Sequence, residues 1–368
     1  MVARVKLLYY SPISWPHLDA RCTSFPHASG LFDAERGVAL YRDSLELFRL
    51  AEAVGFDWLG IGEEHMNAYG VVPNPCLIAA ALAPLTRRAA LCILGNPLPL
   101  LNPLRVAEEY AMVDVLSGGR LVAGFPRGVP QNYAAYGVDP EHSRAKLEEA
   151  IAFVVAAWTS KEAFDWRGEH YNFSRVSIWP QPTRTPELVL SSKSPESVAL
   201  AVRHRAVMAE VYVKDRRVLD HFGASRKAYC EAAEAAGWSA GEDRFLVSVP
   251  CVIAPTGETA RARADEAAVY VRDYISGSFE DRKKALRESY YGRAGHLLDT
   301  QRESVAERIA YGGIICGEPG AVLDQLLALK ERTGAGILGL QMQWGNLSTG
   351  AVQESLRLFG DHVRPHLQ

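Results

Sequence analysis

The sequence predicts a single (β/α)8 barrel. Strand-like and helix-like segments alternate along the 368 residues, and such alternation builds parallel sheets covered by helices. The strand-like runs number eight, the count that closes a barrel. The first of them, VKLLYY, runs into SPISWP. A doubly wound nucleotide-binding sheet would carry a glycine-rich phosphate turn there.

The elements follow in order. VKLLYY (5–10) is strand one. VALYRDSLELFRLAEAVG (38–55) reads as an amphipathic helix, with Leu40, Leu45, Phe48, Leu50 and Val54 near one face and Gly55 as its stop. DWLGIG is strand two, PCLIAAALAPLT a helix, and AALCILGNPLPL opens as strand three. NPLRVAEEYAMVDVLSGG is a helix with Pro103 near its start and Gly118 past its end. RLVAGFP is strand four, followed by a loop. In DPEHSRAKLEEAIAFVVAAW, Asp139 is expected as N-cap with Pro140 at the first helical position, and Leu147, Ile151, Val154 and Trp158 line one face. FDWRGEHYNFSRVSIWPQP reads as an inserted hairpin.

ELVLSS, AVMAEVYV, RFLVSVPCVIAP and ILGLQMQW are strands five to eight, each followed by a helical pattern that ends at AVQESLRLFGDHVRPHL. No internal repeat is visible, so residues 1–368 read as one barrel domain. Residues 261 to about 312 break the alternation: they are highly charged and carry Tyr274, Phe279, Tyr290 and Tyr291. Two readings stand for this insertion, a mobile lid over the barrel mouth or a solvated helical hairpin.

Composition narrows the function classes. Hydrophobic residues make up 48% and charged residues 23%, ordinary for a soluble globular chain. A net charge of -3 calls for neither nucleic acid nor an anionic membrane. The cysteines at 22, 76, 92, 230, 251 and 316 form no CxxC pair, which argues against a zinc knuckle, a redox motif or a disulfide framework. They read as reduced core residues. The N-terminus lacks a signal-peptide pattern, and no run of 18 apolar residues occurs. The expectation is a cytoplasmic protein with no membrane span.

In a barrel of this kind the chemistry sits where strands end. GIGEEHMNAYG puts Glu63, Glu64 and His65 at the end of strand two. Adjacent strand residues point to opposite faces. One carboxylate is therefore expected in the mouth and the other against the helices, and Glu63 is assigned to the outward, structural place. Glu64 and His65 are the acid–base candidates. Metal is not expected, because few further ligands stand at the other strand ends.

Strand five ends in SSKSPES. Ser191, Ser192, Lys193 and Ser194, with Arg127 after strand four, form a candidate phosphate cradle. The alternative is an ordinary Ser-Pro-Glu cap with an exposed lysine. LGNPLPLLNP sets three prolines within seven residues, a place for a backbone kink against a flat ligand, with a cis Asn96–Pro97 bond as one possibility. Tyr10, Met66, Tyr69, Tyr212 and Trp344 are expected to line an apolar substrate pocket.

GFDWLGIGEEHMNAYG, NPLRVAEEYAMVDVLSGGRLVAGFPRG, YNFSRVSIWPQP, SPES and GEPGAVLDQLLALKERTGAGILGLQMQWG together resemble the bacterial luciferase-like flavin monooxygenases. The likeness runs over nearly the whole chain. It implies a (β/α)8 barrel that takes reduced FMN from a separate NAD(P)H:flavin reductase. With O2 the flavin would form a C4a-hydroperoxide that oxygenates a small organic substrate by hydroxylation, epoxidation or Baeyer–Villiger insertion. A homodimer or homotetramer is implied as well.

Carried onto this chain, Arg127 matches the family's phosphate-contacting arginine. Gly95 and Asn96 fall at the strand-three bulge that supports the flavin ring. Pro126 stands where luciferase has a cysteine, and Glu64 stands where the family pattern Glu-His-His has its first histidine. Two alternatives remain: an F420-dependent oxidoreductase of the same superfamily, or a flavin-binding protein without catalysis.

Overall fold

The computed structural model describes residues 4–19, 26–191, 194–211, 213, 216–276 and 303–367. Its sheet is a closed parallel barrel, as the alternation predicts. Eight strands form the ring: β1 (Lys6–Ser11), β2 (Trp58–Ile61), β3 (Ala90–Leu94), β4 (Leu121–Gly124), β7 (Glu187–Ser191), β8 (Val207–Glu210), β9 (Phe245–Ile253) and β11 (Ile337–Gln341). The pairing of β8 with β9 and of β11 with β1 closes it. In-register contacts such as Tyr10 with Gly60 fix the stagger.

The strands are apolar on both faces because both faces are covered. Inside lie Leu8, Cys92, Val122, Val207, Leu246 and Ile337, all nearly or fully buried. Outside, residues such as Phe48, Phe56 and Tyr110 pack the helix layer at 0% exposure. Each buried side chain of this size contributes about 1.5–3 kcal/mol.

The helices are α1 (Ala34–Ala53), α2 (Pro75–Leu85), α3 (Pro103–Ser117), α4 (Pro130–Tyr136), α5 (Ser143–Thr159), α6 (Pro195–Arg203), α7 (Arg216–Ala235), α8 (Gly257–Tyr270), α9 (Val305–Ala310), α10 (Pro319–Thr333) and α11 (Thr349–Leu358). Gly118 ends α3 in the left-handed conformation, as its place in the sequence predicts. The expected hairpin is present as β5 (Phe164–Arg167) and β6 (Asn172–Val176). It is pinned to α5 by Glu149, whose carboxylate accepts from Trp166 Nε1 and from the His170 and Tyr171 amides.

Four expectations change. α5 begins at Ser143 with His142 at the cap, because the Asp139 carboxylate is engaged with the Glu141 amide in a preceding turn. The loop after strand four holds the short helix α4. A three-residue strand, β10 (Ile315–Gly317), extends the sheet beside β9. The cis peptide near the proline cluster is Leu94–Gly95, and Asn96–Pro97 is not among the cis bonds.

The first part of the charged insertion is barrel packing: α8 buries Ala260, Ala264 and Ala267. Residues 277–302, with the lid aromatics Phe279, Tyr290 and Tyr291, lie outside the described residues. The five described cysteines are free thiols, four of them buried. Among the described residues no helix is long and apolar enough to cross a membrane, and no group of three His, Cys, Asp or Glu stands together to hold a metal ion.

Candidate active site

β2 ends at Ile61, and the period of two carries its outward face on to Glu63. The Glu63 carboxylate turns to Asn96, just past the end of β3, and to His65. Oε2 accepts from the Asn96 amide at 2.5 Å, and Oε1 lies 2.8 Å from His65 Nε2. Both side chains of this hydrogen-bonded pair are enclosed, at 3% exposure for Glu63 and 7% for His65. Burial pushes the Glu63 carboxyl above its ordinary range, while the hydrogen bonds from His65 and Asn96 pull the other way.

The second imidazole nitrogen, Nδ1, lies 3.2 Å from the Tyr136 hydroxyl, whose ring stands edge-on to the imidazole. Where Nε2 donates to the Glu63 carboxylate, the lone pair of the imidazole lies on Nδ1. Nδ1 then accepts from Tyr136. A hydrogen-bonded chain thus runs from the half-exposed Tyr136 through His65 to the enclosed Glu63. Tyr136, on α4, carries no sequence signal. It stands in a loop-like stretch 71 residues from its partner.

Glu64 occupies the inner side. Its charge, after burial, helps raise the pKa of Tyr10, whose ring belongs to the cluster inside the barrel. Glu64 Oε2 accepts from Asn67 Nδ2 at 3.1 Å. Gly62 makes the room: a Cβ there would sit 2.5 Å from the Tyr10 hydroxyl oxygen.

The loop beyond turns sharply at Met66, in the left-handed region at φ 58 and 40% exposed. Such a conformation costs about 1–2 kcal/mol for a residue with a Cβ. Asn67 holds it, donating to the His65 carbonyl at 2.9 Å and accepting from the Tyr69 amide at 2.7 Å. His27 bolts the same loop from outside: Nδ1 accepts from the Ala68 amide, and Nε2 donates to the Tyr274 carbonyl. Asn67 was legible as an Asx turn; His27 was not.

The ends of β3 and β4 meet backbone to backbone. A Cβ on Gly95 would come within 1.9 Å of the Gly124 carbonyl oxygen. This leaves a flat stretch without side chains, the kind of wall a planar ring can lie on. The Asn96 side chain is used beneath it, on Glu63 and on Cys76 Sγ at 3.8 Å. Its reach into the site is therefore through Glu63.

The phosphate-cradle candidates gather at the next strand ends. Ser191 closes β7, and Ser194 caps α6 by accepting from the Ser197 amide, with Pro195 at the first helical position. Ser192 and Lys193 lie outside the described residues. Arg127 is half-buried between β4 and α4, and its carbonyl accepts from the Tyr133 hydroxyl.

One cation was missed in the sequence: Arg144 of α5, whose Nη1 donates to Ser194 Oγ at 3.2 Å and lies 3.6 Å from Glu196. Hydroxyls, guanidinium groups and a helix N-terminus suit a phosphate. With the flat Gly95 wall beside them, the residues present fit a flavin mononucleotide.

The expected pocket residues divide. Tyr10 is buried in the cluster inside the barrel, near Glu64, and Met66 is exposed in the loop after β2. Trp344 is only 3% exposed and packs with Tyr270 and Val252 in a second cluster, against which Tyr69 also rests. Tyr212 lies outside the described residues.

Comparison with known proteins gives the family and the fold. The family model described as luciferase-like monooxygenase matches residues 23–336. The chain is 25% identical to limonene 1,2-monooxygenase of Rhodococcus erythropolis, covering 91% of this chain and 83% of that protein. It is likewise 25% identical to the oxygenase component of a flavin-dependent trigonelline monooxygenase of Acinetobacter baylyi, covering 84% and 86%. Among solved structures, the oxygenating constituent of 3,6-diketocamphane monooxygenase of Pseudomonas putida, in complex with FMN, superposes with a TM-score of 0.74 at 21% identity, covering 100% of this chain and 99% of that one.

Proposed function

Because the chain belongs to the luciferase-like monooxygenase family, we propose that it is the oxygenase component of a two-component system that takes reduced FMN from a separate flavin reductase. Bound reduced FMN supplies the electrons that activate O2, and one oxygen atom enters a small organic substrate. The chain works as a homodimer or a homotetramer.

The observation that carries this reading is the juxtaposition of three features at neighbouring strand ends. They are the Tyr136–His65–Glu63 chain, the side-chain-free wall at Gly95 and Gly124, and the Ser194–Arg144 cluster. Ser194, Arg144 and Arg127 hold the phosphate. The Gly95 wall carries the ring. His65 holds a proton at Nε2 and moves protons to and from the site at Nδ1, through Tyr136. Glu63 and Asn96 keep the imidazole in that orientation. Glu64, with Tyr10, sets the polarity of the inner side. Hydroxylation, epoxidation and Baeyer–Villiger insertion all fall within this reading.

The test is to mix the protein anaerobically with reduced FMN, admit oxygen and follow the absorption spectrum. A long-lived species distinct from oxidised FMN supports the reading. Return of oxidised FMN at the rate of the free flavin, with or without candidate substrates, overturns it. Hydride transfer with F420 in place of FMN would assign the chain to the other branch of the superfamily.

A further inference from the structure

Two neighbouring helices lack the polar outer face seen elsewhere in the helix layer. α1, by contrast, turns Arg42, Glu46 and Arg49 to solvent. α2 and α3 follow β2 and β3, which pair in the sheet, so the two helices lie side by side. None of the residues of α2, PCLIAAALAPL, carries a charge, an amide or a hydroxyl. A helix that is apolar all round belongs inside a protein. One stripe of α2 nevertheless faces solvent: Leu77 and Leu85, two turns apart, are 69% and 42% exposed.

α3 continues the stripe. Met112, Val115 and Leu116 stand three and four residues apart on one side of the helix, at 51%, 45% and 58% exposure. The two stripes meet at the base of the barrel. There the Arg120 guanidinium donates to the Ala83 and Thr86 carbonyls at the end of α2 and to the Ser117 carbonyl at the end of α3, which sets the turn of Leu85 beside that of Leu116. A scattered exposed leucine is ordinary, but these five side chains together expose on the order of 500 Å² of apolar surface, near the upper end for the largest patch on a monomer. Charge is confined to the rim: Arg105, paired with Glu109, and Glu108 in the first half of α3, and Arg87 and Arg88 past the end of α2.

We propose that this face is the contact between two copies of the chain, with α2 and α3 of one copy packed on α2 and α3 of the other about a two-fold axis. Each partner in a stable interface of standard size buries about 800 Å², and homodimer interfaces are about 65% apolar. The exposed apolar area of this face is close to that share. Its centre holds leucine, methionine and valine without a charge, as the core of a homodimer contact does. Its rim holds both signs, so the face can meet itself without a wall of like charge. A patch that needs cover as soon as the chain folds also needs a partner present wherever the chain is, and a second copy is that partner. The inference names the surface for the homodimer of the proposed function and rests on none of its flavin chemistry.

The experiment is sedimentation velocity at micromolar concentration, on the full chain and on single variants. The wild type is expected at twice the chain mass, or at four times if dimers pair further. Met112→Glu on α3 and Leu77→Lys on α2 each put a charge into the apolar centre. Each is expected to weaken self-association at least about thirtyfold, leaving the monomer, or the dimer where the wild type is a tetramer. Leu327→Glu, on α10 and 44% exposed, lies outside the face and should assemble as the wild type does. All three positions are on the surface, and melting followed by circular dichroism checks that each variant folds. Should one of the two face variants fail to fold, the other decides. A monomeric wild type overturns the proposal. So do face variants that assemble like the wild type, or a Leu327→Glu chain that dissociates. A monomer that still gives a long-lived species distinct from oxidised FMN would end the interface and spare the flavin reading. A dimer that fails the flavin test would do the reverse.

Discussion

The Nε2 of His65 lies 2.8 Å from Oε1 of Glu63, two residues back along the chain. That pairing fixes which face of the imidazole is left for chemistry, namely Nδ1 and its Tyr136 contact. Replacing His65 with Ala should lower turnover about 10²–10⁴-fold, the usual worth of a positioned proton carrier. Glu63→Gln should cost less, about tenfold, because Gln can still hold the ring. Steady-state kinetics with a reductase supplying flavin would measure both. A His65→Ala enzyme at wild-type turnover would remove His65 from the mechanism.

Glu63 also makes a pH prediction. Its carboxyl is held above the ordinary value of 4.5 by burial. The folded state therefore binds this proton more tightly than the unfolded chain does. The stabilisation from that proton is full below the ordinary value and is lost as pH rises through the raised one. Glu63→Gln lacks this dependence. The melting temperature of the variant, relative to wild type, should rise as pH is taken upward from about 4.5. A difference that is flat or falls with pH would mean the carboxyl is not raised.

Glu64 stands on the inner side with Tyr10. An ionised carboxylate there repels an anionic reduced flavin. Glu64→Gln should tighten the binding of reduced FMN about threefold to tenfold and leave oxidised FMN nearly unaffected. Anaerobic fluorescence titration separates the two. Weaker binding of the reduced form would show that Glu64 is protonated and donates to the flavin.

At the phosphate end, Ser194→Ala and Arg144→Gln each remove one arm of the contact between α5 and α6. Each should weaken FMN binding about tenfold. Riboflavin, which lacks the phosphate, should bind the variants and the wild type alike. Equal losses for FMN and riboflavin would mean the cluster merely holds two helices together.

Asp114 tests the architecture rather than the chemistry. It is fully buried, and its carboxylate accepts from the Thr183 amide and hydroxyl at 2.7 Å each and from the Leu121 amide at 3.3 Å. It ties α3 to the start of β4 and to the approach to β7. Asp114→Asn should cost about 3 kcal/mol, since hydrogen bonds to a buried charge are worth about 1.5–3 kcal/mol each. A urea midpoint within error of the wild type would refute this.

Asp114 also explains why the fold was so readable. The block from Asn102 to Gly128 carries much of the family likeness, and several of its polar residues are structural. Arg120 spends its guanidinium on carbonyls of Ala83, Thr86, Ala89 and Ser117 and on the Thr86 hydroxyl, locking α2 and α3 to the base of the barrel. Local needs of this sort leave local signatures. The site does not.

Period-two alternation put Glu63 on the outer face, but nothing in the chain announces Tyr136 or Asn96 as the groups that meet there, or Arg144 as the partner of Ser194. Each comes from a different element and is placed by packing. The start of α5 was misjudged for a related reason. Asp139 and Pro140 have the chemistry of a helix cap, and only the contact of the Asp139 side chain with the Glu141 amide shows that they build a turn instead. β10 was missed because three residues carry too little pattern to stand out.

The close approach of Gly95 to the Gly124 carbonyl makes the barrel unequal in its capacity to change. On that side any side chain at position 95 would force two hydrogen-bonded strands apart, so mutational drift there ends in loss of the ring. The Met66 side chain, by contrast, faces solvent at 40% exposure, and its exchange moves no strand. New specificities can therefore arise only from one arc of the mouth, while the arc that bears the glycines stays the fixed reference against which they are tried.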